Sequence, residues 1–495
     1  MDASCDLPNI YTKSSILSRR SKARTRAGIK NKLPLLSKTA PTTRSPTKLN
    51  SSFDFNYRYS VLPGNNTRVV LSSLRKRPWW STSHEENQLD SNLIWEMYKN
   101  NDRYNGKSSG VALLNHMQNN KYLVSKKGLY HSIRSYCELN NVDILKIIPR
   151  TFHISSNASV ESDIMATDFR DFVAFNKSFE DRDIVWIVKP ASKTNRGMGI
   201  KVTSGLENTL KIVQQHKSVK SATSSANKQR SNKINLTDEG GKKMESQQPK
   251  QQPQETQRHT KEWIVQEYMT NPMLVSGRKF DIRCFILLTH SKRAGLRAYI
   301  HEEGYVRTSS KPFRLDHFND RETHLTNDAV QKHSKKYGKY EIGNKLSWTE
   351  WQESIVKEYP SFPNNVVYSQ IIPKIRDISA LSVSSCATFL SASDVQHSFE
   401  LLGYDFMVTD ELEVKLIEVN SNPCLEFACP LLTRIISVVI EDTFRVAVDG
   451  CFRPPPPGRR TRLCEDALIE INRDPHGYSL IYPAASSDFT AHGLP

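Results

Sequence analysis

Two carboxylates and an amide stand close together in the last strongly patterned part of the chain. The stretch IEVNSNPC carries Glu418 and Asn420 two positions apart, so both side chains point to one side of a strand. The segment LLGYDFMVTDELEVKLIEVN is typical of a hairpin, and pairing Thr409 with Val414 across a four-residue loop would set Asp405 opposite Glu418. Two facing carboxylates repel each other unless a cation lies between them, and apolar neighbours favour a buried site over an exposed acidic face. The pattern predicts a Mg²⁺ site formed by Asp405, Glu418 and Asn420.

A second candidate site is the loop within WIVKPASKTNRGMGIKV, where an apolar strand ends at a lysine and another β-run follows. Lys189 and Arg196 supply positive charge, and Gly197 and Gly199 allow the backbone to approach an anion closely. The loop is not a Walker A motif, because the pattern GxxxxGK[ST] is absent. On residue types alone, a phosphate-binding loop and an ordinary basic hairpin loop fit equally well.

Further charged residues alternate with apolar ones in GRKFDIRCFILL. Lys279, Asp281 and Arg283 share one face of a predicted strand whose other face is apolar. Burying charges of mixed sign is costly unless they are paired or contact a ligand, although a solvated outer face is the alternative. Arg307, in the later β-run GYVRTSS, adds a second arginine, and two arginines suit a carboxylate or a phosphate. The strand EWIVQEYM precedes them and ends in a linker, residues 266–269, whose backbone could hydrogen-bond an adenine edge.

The elements that would position these residues form the folded part of a 495-residue chain. RVVLSSLRKRPWW predicts a β-run, SNLIWEMYKN and GLYHSIRSYCELN predict helices, and folded structure is expected from Arg68 onward. We predict a disordered basic arm over 1–62, an N-terminal α/β lobe over 63–150, a central lobe over 151–280 with a disordered insertion at 216–260, a C-terminal lobe with the metal hairpin over 281–455, and a proline-rich linker and tail over 456–495.

Composition narrows the function classes. The formal net charge of +17 predicts an anionic partner: nucleic acid, an anionic membrane surface or an acidic protein. Eight cysteines without a CxxC pair favour reduced thiols in the cytoplasm over a disulfide framework or a structural zinc site. We expect no transmembrane segment, because every apolar run is well short of roughly 20 residues, and no signal peptide. A mitochondrial transit peptide is a less favoured interpretation of the arm, since Asp2 and Asp6 come early.

At the residues described above, the sequence resembles the tubulin–tyrosine ligase-like family of the ATP-grasp superfamily. Across residues 68–455 the likeness is carried by blocks such as RPWW, WIVKP, RGMGI, VQEYM, GRKFDIR, EEGYVRTSS, HLTN, FELLGYDFMV and LIEVNSNP. The resemblance implies an α/β ATP-grasp fold, with a nucleotide between the central and C-terminal lobes. It also implies a ligase that uses ATP to form an acyl-phosphate on a tubulin tail and joins an amino acid to it.

The resemblance further implies roles for residues at matching positions. Arg283 and Arg307 would orient the acyl-phosphate or the incoming amino acid, and Asp405, Glu418 and Asn420 would hold Mg²⁺, with Glu418 the most sensitive to loss. The loop RGMGI departs from the family pattern, because Met198 stands where a charged residue is expected. ATP would contact Lys127, Lys189, Arg196, Gly197, Gly199, Gln266, Glu267, Tyr268, Met269, Lys279 and Asp281.

The donor amino acid stays open among tyrosine, glutamate and glycine, because IEVNSNPC resembles polymodifying members whereas YGKYEIGN resembles the tyrosine ligase. The expected partners are a free amino acid and the acidic tails of α- or β-tubulin on microtubules. We expect the protein to be a monomer that acts in the cytoplasm, on the cytoskeleton or at a cilium or basal body. Two alternatives are a catalytically inactive microtubule-binding protein on this fold and an ATP-grasp ligase with a non-tubulin substrate. Nucleic-acid binding ranks last, because the basic runs lack interleaved aromatic residues.

Overall fold

The computed structural model describes ten stretches of the chain, and the described residues form a mixed α/β fold. The predicted basic arm up to position 55 and the whole predicted insertion at 216–260 lie outside these stretches. The described residues are 56–64, 67–83, 90–104, 113–155, 163–179, 183–191, 198–214, 262–392, 395–472 and 475–483.

Fifteen strands are formed by the described residues, in two sheets. They are β1 (Tyr57–Val61), β2 (Trp80–Thr82), β3 (Leu93–Trp95), β4 (Leu113–Leu114), β5 (Thr151–Ser155), β6 (Val185–Pro190), β7 (Lys201–Ser204), β8 (Glu262–Glu267), β9 (Leu274–Val275), β10 (Arg278–Ser291), β11 (Gly295–Thr308), β12 (Lys345–Leu346), β13 (His397–Val408), β14 (Val414–Asn420) and β15 (Tyr478–Tyr482).

Helices cover the sheets. They are α1 (Thr67–Arg75), α2 (Lys121–Val124), α3 (Lys126–Asn140), α4 (Asp163–Lys177), α5 (Leu206–Gln214), α6 (Arg321–His324), α7 (Asp328–Gln331), α8 (Trp348–Glu358), α9 (Ile372–Ser384), α10 (Ala387–Ser391), α11 (Pro430–Thr443) and α12 (Arg462–Ile471), with short 3₁₀ turns at Asn101–Tyr104, Ile144–Lys146 and Ile342–Asn344 and π-helical turns at Val367–Ile371 and Phe444–Val448. In the described part of the chain, no helix has both the length and the apolar character needed to cross a bilayer.

The larger sheet has the strand order β12-β11-β10-β13-β4-β3-β1-β2, with β14 also paired to β13, β15 to β11 and β9 to β10. Both of its faces are packed. Along β10, Ile282 and Ile286 pack into a core with helices α3, α8 and α9, whereas Phe285 and Leu287 pack into a second core with α1 and α11. The long strands β10 and β13 are therefore buried on both sides, which explains their nearly continuous apolar sequence.

The smaller sheet is antiparallel, in the order β5-β8-β6-β7. One face carries Phe152, Trp186 and Val265, which pack against helices α4 and α5. Successive strand residues alternate between faces, so the opposite face presents Lys189 and Gln266. This polar face lies near β14, since Leu416 and Lys415 hydrogen-bond to carbonyls of residues 147 and 145 just before β5.

Two of the predicted elements have the wrong type. The predicted β-run at 68–80 is largely helix α1, because Val69, Val70 and Leu74 fall on one helical face and pack into the core that contains α11. The predicted helix at 91–100 contains strand β3, whose three residues are all buried between β1 and β4. A short apolar run buried in a parallel arrangement has no period-2 alternation, so the sequence pattern could not identify it. The predicted helix in GLYHSIRSYCELN is confirmed as α3.

The limits of the fold also differ from the sequence prediction. Folded structure starts before Arg68, because β1 pairs in parallel with β2 and β3. The tail beyond the prolines is part of the fold: α12 buries Cys464 and Ile471, and β15 pairs with β11. The seven cysteines in the described residues are free thiols.

The docking of β15 is testable by a pair of neighbouring substitutions. Ile481 is 7% exposed and belongs to the larger core, whereas Leu480 is 42% exposed. We expect Ile481→Ala to lower the free energy of unfolding by about 2–4 kcal/mol, because it removes buried apolar atoms and leaves a cavity. Leu480→Ala should change it by less than about 0.5 kcal/mol. Urea denaturation of the whole chain measures both values, and equal losses would contradict the docking of β15.

Candidate active site

Four neighbouring strands of the larger sheet bring charged side chains to one face. β10 and β11 are antiparallel, with Asp281 opposite Arg307. β13 adds Asp405 opposite Arg283, and β14 adds Glu418 opposite Asp405. Directly opposite residues of antiparallel strands share a face, so strand register alone places these five side chains in two adjacent rungs.

The arginines and two of the carboxylates form a buried chain of ion pairs. Arg307 donates to both oxygens of Asp281, at 2.6 and 2.7 Å, and also lies 2.8 Å from Asp405. Arg283 donates to both oxygens of Asp405, at 2.6 and 3.1 Å. The hydroxyl of Thr326 donates to Asp281 at 2.5 Å. Each of these residues is buried, so every charge has its compensation inside the protein.

The register of the β13–β14 hairpin corrects the sequence prediction and still confirms its result. Val414 pairs with Val408 rather than with Thr409, so the predicted register is off by one residue. A regular ladder from that pair would place Asp405 opposite Ile417. A β-bulge after Asp405 shifts the ladder by one residue, and Asp405 therefore lies opposite Glu418 as predicted.

The three predicted metal ligands lie together. The amide nitrogen of Asn420 is 3.3 Å from Asp405 Oδ2 and 3.3 Å from Glu418 Oε1. Burial and the negative charge of Asp405 raise the pKa of Glu418 above its ordinary value. Burial also opposes ionisation of Asp405, but Arg283 and Arg307 outweigh it and hold the pKa of that carboxyl well below its ordinary value. Glu418 is thus the carboxylate whose negative charge is least compensated.

The donor set fits a hard cation. The two facing carboxylates offer oxygen ligands of the kind that Mg²⁺ prefers, and the raised pKa of Glu418 indicates a place where added positive charge would be stabilising. Asn420 turns its amide nitrogen to both carboxylates, so its oxygen would join a cation there only after the amide rotates. The described residues contain no cluster of three or more His, Cys, Asp or Glu side chains arranged to hold a metal, so this mixed carboxylate and amide set is the candidate for Mg²⁺.

Lys189 reaches the same region from the smaller sheet. Its ammonium donates to Gln266 Oε1 at 2.8 Å, and the amide of Gln266 donates in turn to Thr151 at 2.9 Å. Burial lowers the pKa of Lys189 to about 8, with Glu418 opposing the shift and the positive charge of Lys126 adding to it. Lys189 is therefore close enough to Glu418 for their charges to interact across the two sheets.

Lys279 is held in a separate buried pocket. Its ammonium donates to the Tyr268 hydroxyl and to the His324 carbonyl, both at 3.1 Å, and lies 4.4 Å from the Tyr268 ring centre. Burial lowers the pKa of Lys279 to about 7, with Asp281 opposing the shift and Lys189 adding to it. An anion placed beside both lysines would restore their charged forms.

The remaining predicted nucleotide residues have mixed placements. Gly199 has φ of +74°, and a Cβ there would lie 3.0 Å from the Pro190 ring, so the turn requires glycine. In the predicted adenine linker, Gln266 is a ladder residue of β8 between β5 and β6, and the N–H groups of Glu267 and Tyr268 donate to backbone carbonyls of the fold. The backbone groups of Met269 remain candidates for contact with the adenine. Arg196 and Gly197 lie outside the described residues.

Lys127 lies apart from the other predicted residues. It forms an ion pair with Glu262 at 2.8 Å. Glu262 also contacts the ring of His153, which is hydrogen-bonded to His131. The neighbouring Lys126 is the lysine whose charge acts on Lys189 and Glu418. Sequence reasoning missed Lys126, because adjacent lysines at a helix start cannot be told apart before the orientation of α3 is known.

Sequence reasoning also missed the segment that closes the site on one side. Thr326 and His324 contact Asp281 and Lys279, although only the motif HLTN indicated this segment. Lys345 lies opposite Arg307 on β12, and its buried ammonium pairs with Asp328 at 2.6 Å. No charge pattern in the sequence distinguishes Lys345 from the exposed lysines that precede it.

The site as a whole carries excess positive charge. Five cationic side chains act on it, against three carboxylates, and most of these groups are shielded from water. A buried site of this charge suits a strongly anionic ligand, because the ligand replaces the missing counter-charge. The cations are Lys126, Lys189, Lys279, Arg283 and Arg307, and the carboxylates are Asp281, Asp405 and Glu418.

The fold and site define a mixed α/β protein with a buried network of charged side chains that includes two facing carboxylates. A sequence model of the Tubulin-tyrosine ligase family matches residues 104–456. The chain belongs to this family.

Individual relatives are more distant. The chain is 32% identical over 189 residues to Tubulin glycylase 3B of Tetrahymena thermophila, a match that covers 38% of the chain and 15% of that protein. It is 25% identical over 403 residues to Protein polyglycylase TTLL10 of Rattus norvegicus, across 79% of the chain and 53% of that protein. It is 24% identical over 392 residues to Probable tubulin polyglutamylase TTLL9 of Bos taurus, across 76% of the chain and 77% of that protein.

The depressed pKa of Lys279 predicts a pH dependence of stability. A lysine with a pKa near 7 when folded and near 10.5 when unfolded binds fewer protons in the folded state between these values. Its contribution to the free energy of unfolding therefore rises with pH across this window. We expect wild type to gain about 2 kcal/mol relative to Lys279→Met between pH 7 and pH 9.

Denaturation curves at a series of pH values measure this difference. Lys292→Met, at an exposed turn, is the matched control and should run parallel to wild type. Parallel curves for wild type and Lys279→Met would show that burial does not shift the titration of Lys279.

Proposed function

We propose that this protein is an ATP-dependent ligase that adds an amino acid to tubulin tails through an acyl-phosphate intermediate. The observation that carries the proposal is the buried Asp281–Arg307–Asp405–Arg283 chain beside Glu418. In this buried arrangement, two arginines could bind carboxylate or phosphate groups, and the carboxylate pair beside them could bind a cation. The names of two relatives, Tubulin glycylase 3B and Probable tubulin polyglutamylase TTLL9, support tubulin as the substrate.

ATP is the proposed source of the leaving group. Lys189 and Lys126 would face the phosphates from the smaller sheet and from α3, and Lys279 from β10. The turn at Gly199 would cover the phosphates, and the 266–269 segment would contact the adenine. In this arrangement the nucleotide lies between the two sheets, as in an ATP-grasp fold.

Asp405, Glu418 and Asn420 would hold Mg²⁺, which when bound offsets the negative charge of the phosphates. Asp405 is fixed by its two arginines and cannot turn away from the site without breaking buried ion pairs. Among the described residues, Glu418 has no arginine partner and contacts the Asn420 amide and Asp405, so its side chain is the more adjustable ligand. Asp405 would therefore fix the position of the cation, and the side chain of Glu418 would adjust to it.

The proposed chemistry overcomes the low reactivity of a carboxylate. An oxygen of the acceptor carboxylate attacks the γ-phosphorus of ATP, the bond to the bridging oxygen breaks, and ADP leaves with an acyl-phosphate formed. The donor amine then attacks the acyl carbon, the bond from carbon to the phosphate oxygen breaks, and phosphate leaves as the amine loses a proton. Arg283 and Arg307 would orient the acyl-phosphate or the carboxylate of the donor.

The donor remains glycine, glutamate or tyrosine in this proposal. The names of the relatives support glycine and glutamate ahead of tyrosine. The partner would be the acidic carboxy-terminal tail of α- or β-tubulin, which places the protein on microtubules in the cytoskeleton. The net charge of +17 supports an acidic polypeptide substrate, since opposite charge speeds encounter.

The test is mass spectrometry of tubulin incubated with the protein, Mg²⁺–ATP and an equimolar mixture of glycine, glutamate and tyrosine. We expect a mass increment that identifies the donor, and Glu418→Gln should lower the rate at least about a hundredfold, because it removes charge from the carboxylate pair. Glu411→Gln is the matched control, since it makes the same change at the exposed turn of the same hairpin.

Three outcomes are informative. Loss in Glu418→Gln with retention in Glu411→Gln supports the ligase and the role of the carboxylate pair. Equal activity in both variants contradicts the role of Glu418. No increment with wild type, while microtubule binding persists in wild type and in both variants, contradicts a tubulin ligase and favours a binding protein on the same fold or a ligase with a non-tubulin substrate.

A further inference from the structure

A row of lysines stands on the outer side of the segment that closes the site. Lys332, Lys335, Lys336 and Lys339 are all exposed. We call these four residues the basic shelf. With the residues that the structure describes, none of the four forms a salt bridge, although other lysines of the neighbourhood do. The shelf therefore presents four uncompensated positive charges to solvent.

The acidic residues of the same segment pair with cations outside the shelf, so they do not offset the positive charge of its lysines. Asp328 pairs with the buried ammonium of Lys345 at 2.6 Å. Glu341 accepts a hydrogen bond from Arg278 at 3.0 Å, and Arg278 also lies 4.2 Å from the ring centre of Tyr340. Both carboxylates are thus turned toward the protein, and the lysines are turned away from it.

The shelf is held in a fixed position by buried polar contacts. Gln331 is fully buried, accepts from the Ser310 N–H at 2.7 Å and donates to the Glu322 carbonyl at 3.0 Å. The Ser334 hydroxyl donates to the Glu322 side chain at 2.6 Å. The side chain of Asn344 accepts from the Gly338 N–H at 2.7 Å. These contacts hold the backbone on both sides of Lys335 and Lys336.

Both ends of the segment touch the candidate active site. Before the shelf, Thr326 donates to Asp281. After it, the Asn344 amide donates to the Thr308 carbonyl at 3.0 Å, and Lys345 lies opposite Arg307. Lys332 and Lys339 are each six residues from Thr326 and Lys345 respectively, which limits either distance to about 20 Å even for an extended chain. A peptide on the shelf can therefore reach the site with about six of its own residues.

We propose that the basic shelf is the docking surface for the acidic polypeptide substrate, and that it binds carboxylate side chains upstream or downstream of the modified residue. This inference rests on the proposed function and identifies the surface that would hold its substrate. Four ammonium groups match a run of glutamates or aspartates, and the exposed side chains of Tyr340 and Ile342 offer apolar contact beside them. An acidic peptide fits this surface better than a duplex, because the lysines lie along one short segment.

A pair of adjacent basic residues provides the test and another provides its control. The shelf variant is Lys335→Glu with Lys336→Glu. The control is Lys292→Glu with Arg293→Glu, at the exposed far turn of the β10–β11 hairpin. Ten residues of strand separate Asp281 from Ser291, so the control pair lies roughly 30 Å from the site. Both variants change the net charge equally, so any long-range effect of charge is the same in both.

The measurement is equilibrium binding of a labelled glutamate-rich peptide to the full chain in low salt. We expect the shelf variant to weaken binding roughly tenfold and the control to weaken it less than about twofold. ATP affinity should be unchanged in both. Equal weakening in the two variants, or none in the shelf variant, would overturn the proposal.

Two further arms separate the alternatives. If the ligase assay succeeds, the shelf variant should raise the KM for tubulin and leave kcat within about twofold of wild type. If that assay fails, the peptide-binding arm still decides the docking surface, because it requires no turnover. Duplex DNA and anionic vesicles are used as competitors, and either one displacing the peptide from wild type more effectively than unlabelled peptide does would overturn the choice of occupant.

Discussion

Arg307 is the residue on which the candidate site depends. Its guanidinium contacts Asp281 on β10 and Asp405 on β13, and so ties together two carboxylates that would otherwise repel each other in a buried place. Arg283 completes the compensation of Asp405. Removing one partner from such a network leaves an unpaired buried charge, which is among the most destabilising changes a protein can suffer. The strand register brings these charged side chains together, and their ion pairs hold Asp405 beside Glu418. Strand register, ion pairing and the placement of Glu418 therefore depend on one another.

The two arginines also explain why the pKa values of Asp405 and Glu418 shift in opposite directions. Two arginines hold Asp405 and lower its pKa, whereas burial and then the negative charge of Asp405 raise the pKa of Glu418. The lysines show the converse, since burial lowers the pKa values of Lys189 and Lys279 in the absence of an anion. A ligand with several negative charges would favour the charged forms of the two lysines, and a cation would favour the ionised form of Glu418. These opposite shifts support the proposal that the site binds an anionic ligand together with a cation.

The sequence predicted the residues of this site better than their surroundings. Alternation of charged and apolar residues placed Asp281 and Arg283 on one strand face, and the hairpin pattern set Asp405 opposite Glu418. The predicted register was nevertheless off by one, because a β-bulge depends on tertiary contacts and has no reliable sequence signal. Lys126 and Lys345 were missed, because a single lysine gives no indication of whether it points inward. Strand β3 and helix α1 were misassigned because short buried apolar segments fit both periods.

The strand order of the larger sheet has a consequence for synthesis of the protein. Strand β4, near residue 113, has β13 as its neighbour, almost three hundred residues later, and β15 joins the same sheet from the end of the described chain. The apolar strands β3 and β4 are therefore synthesised long before β13, which covers the free edge of β4. Such a nascent chain has an unpaired strand edge for most of its translation, so we expect its yield in cells to depend on chaperones.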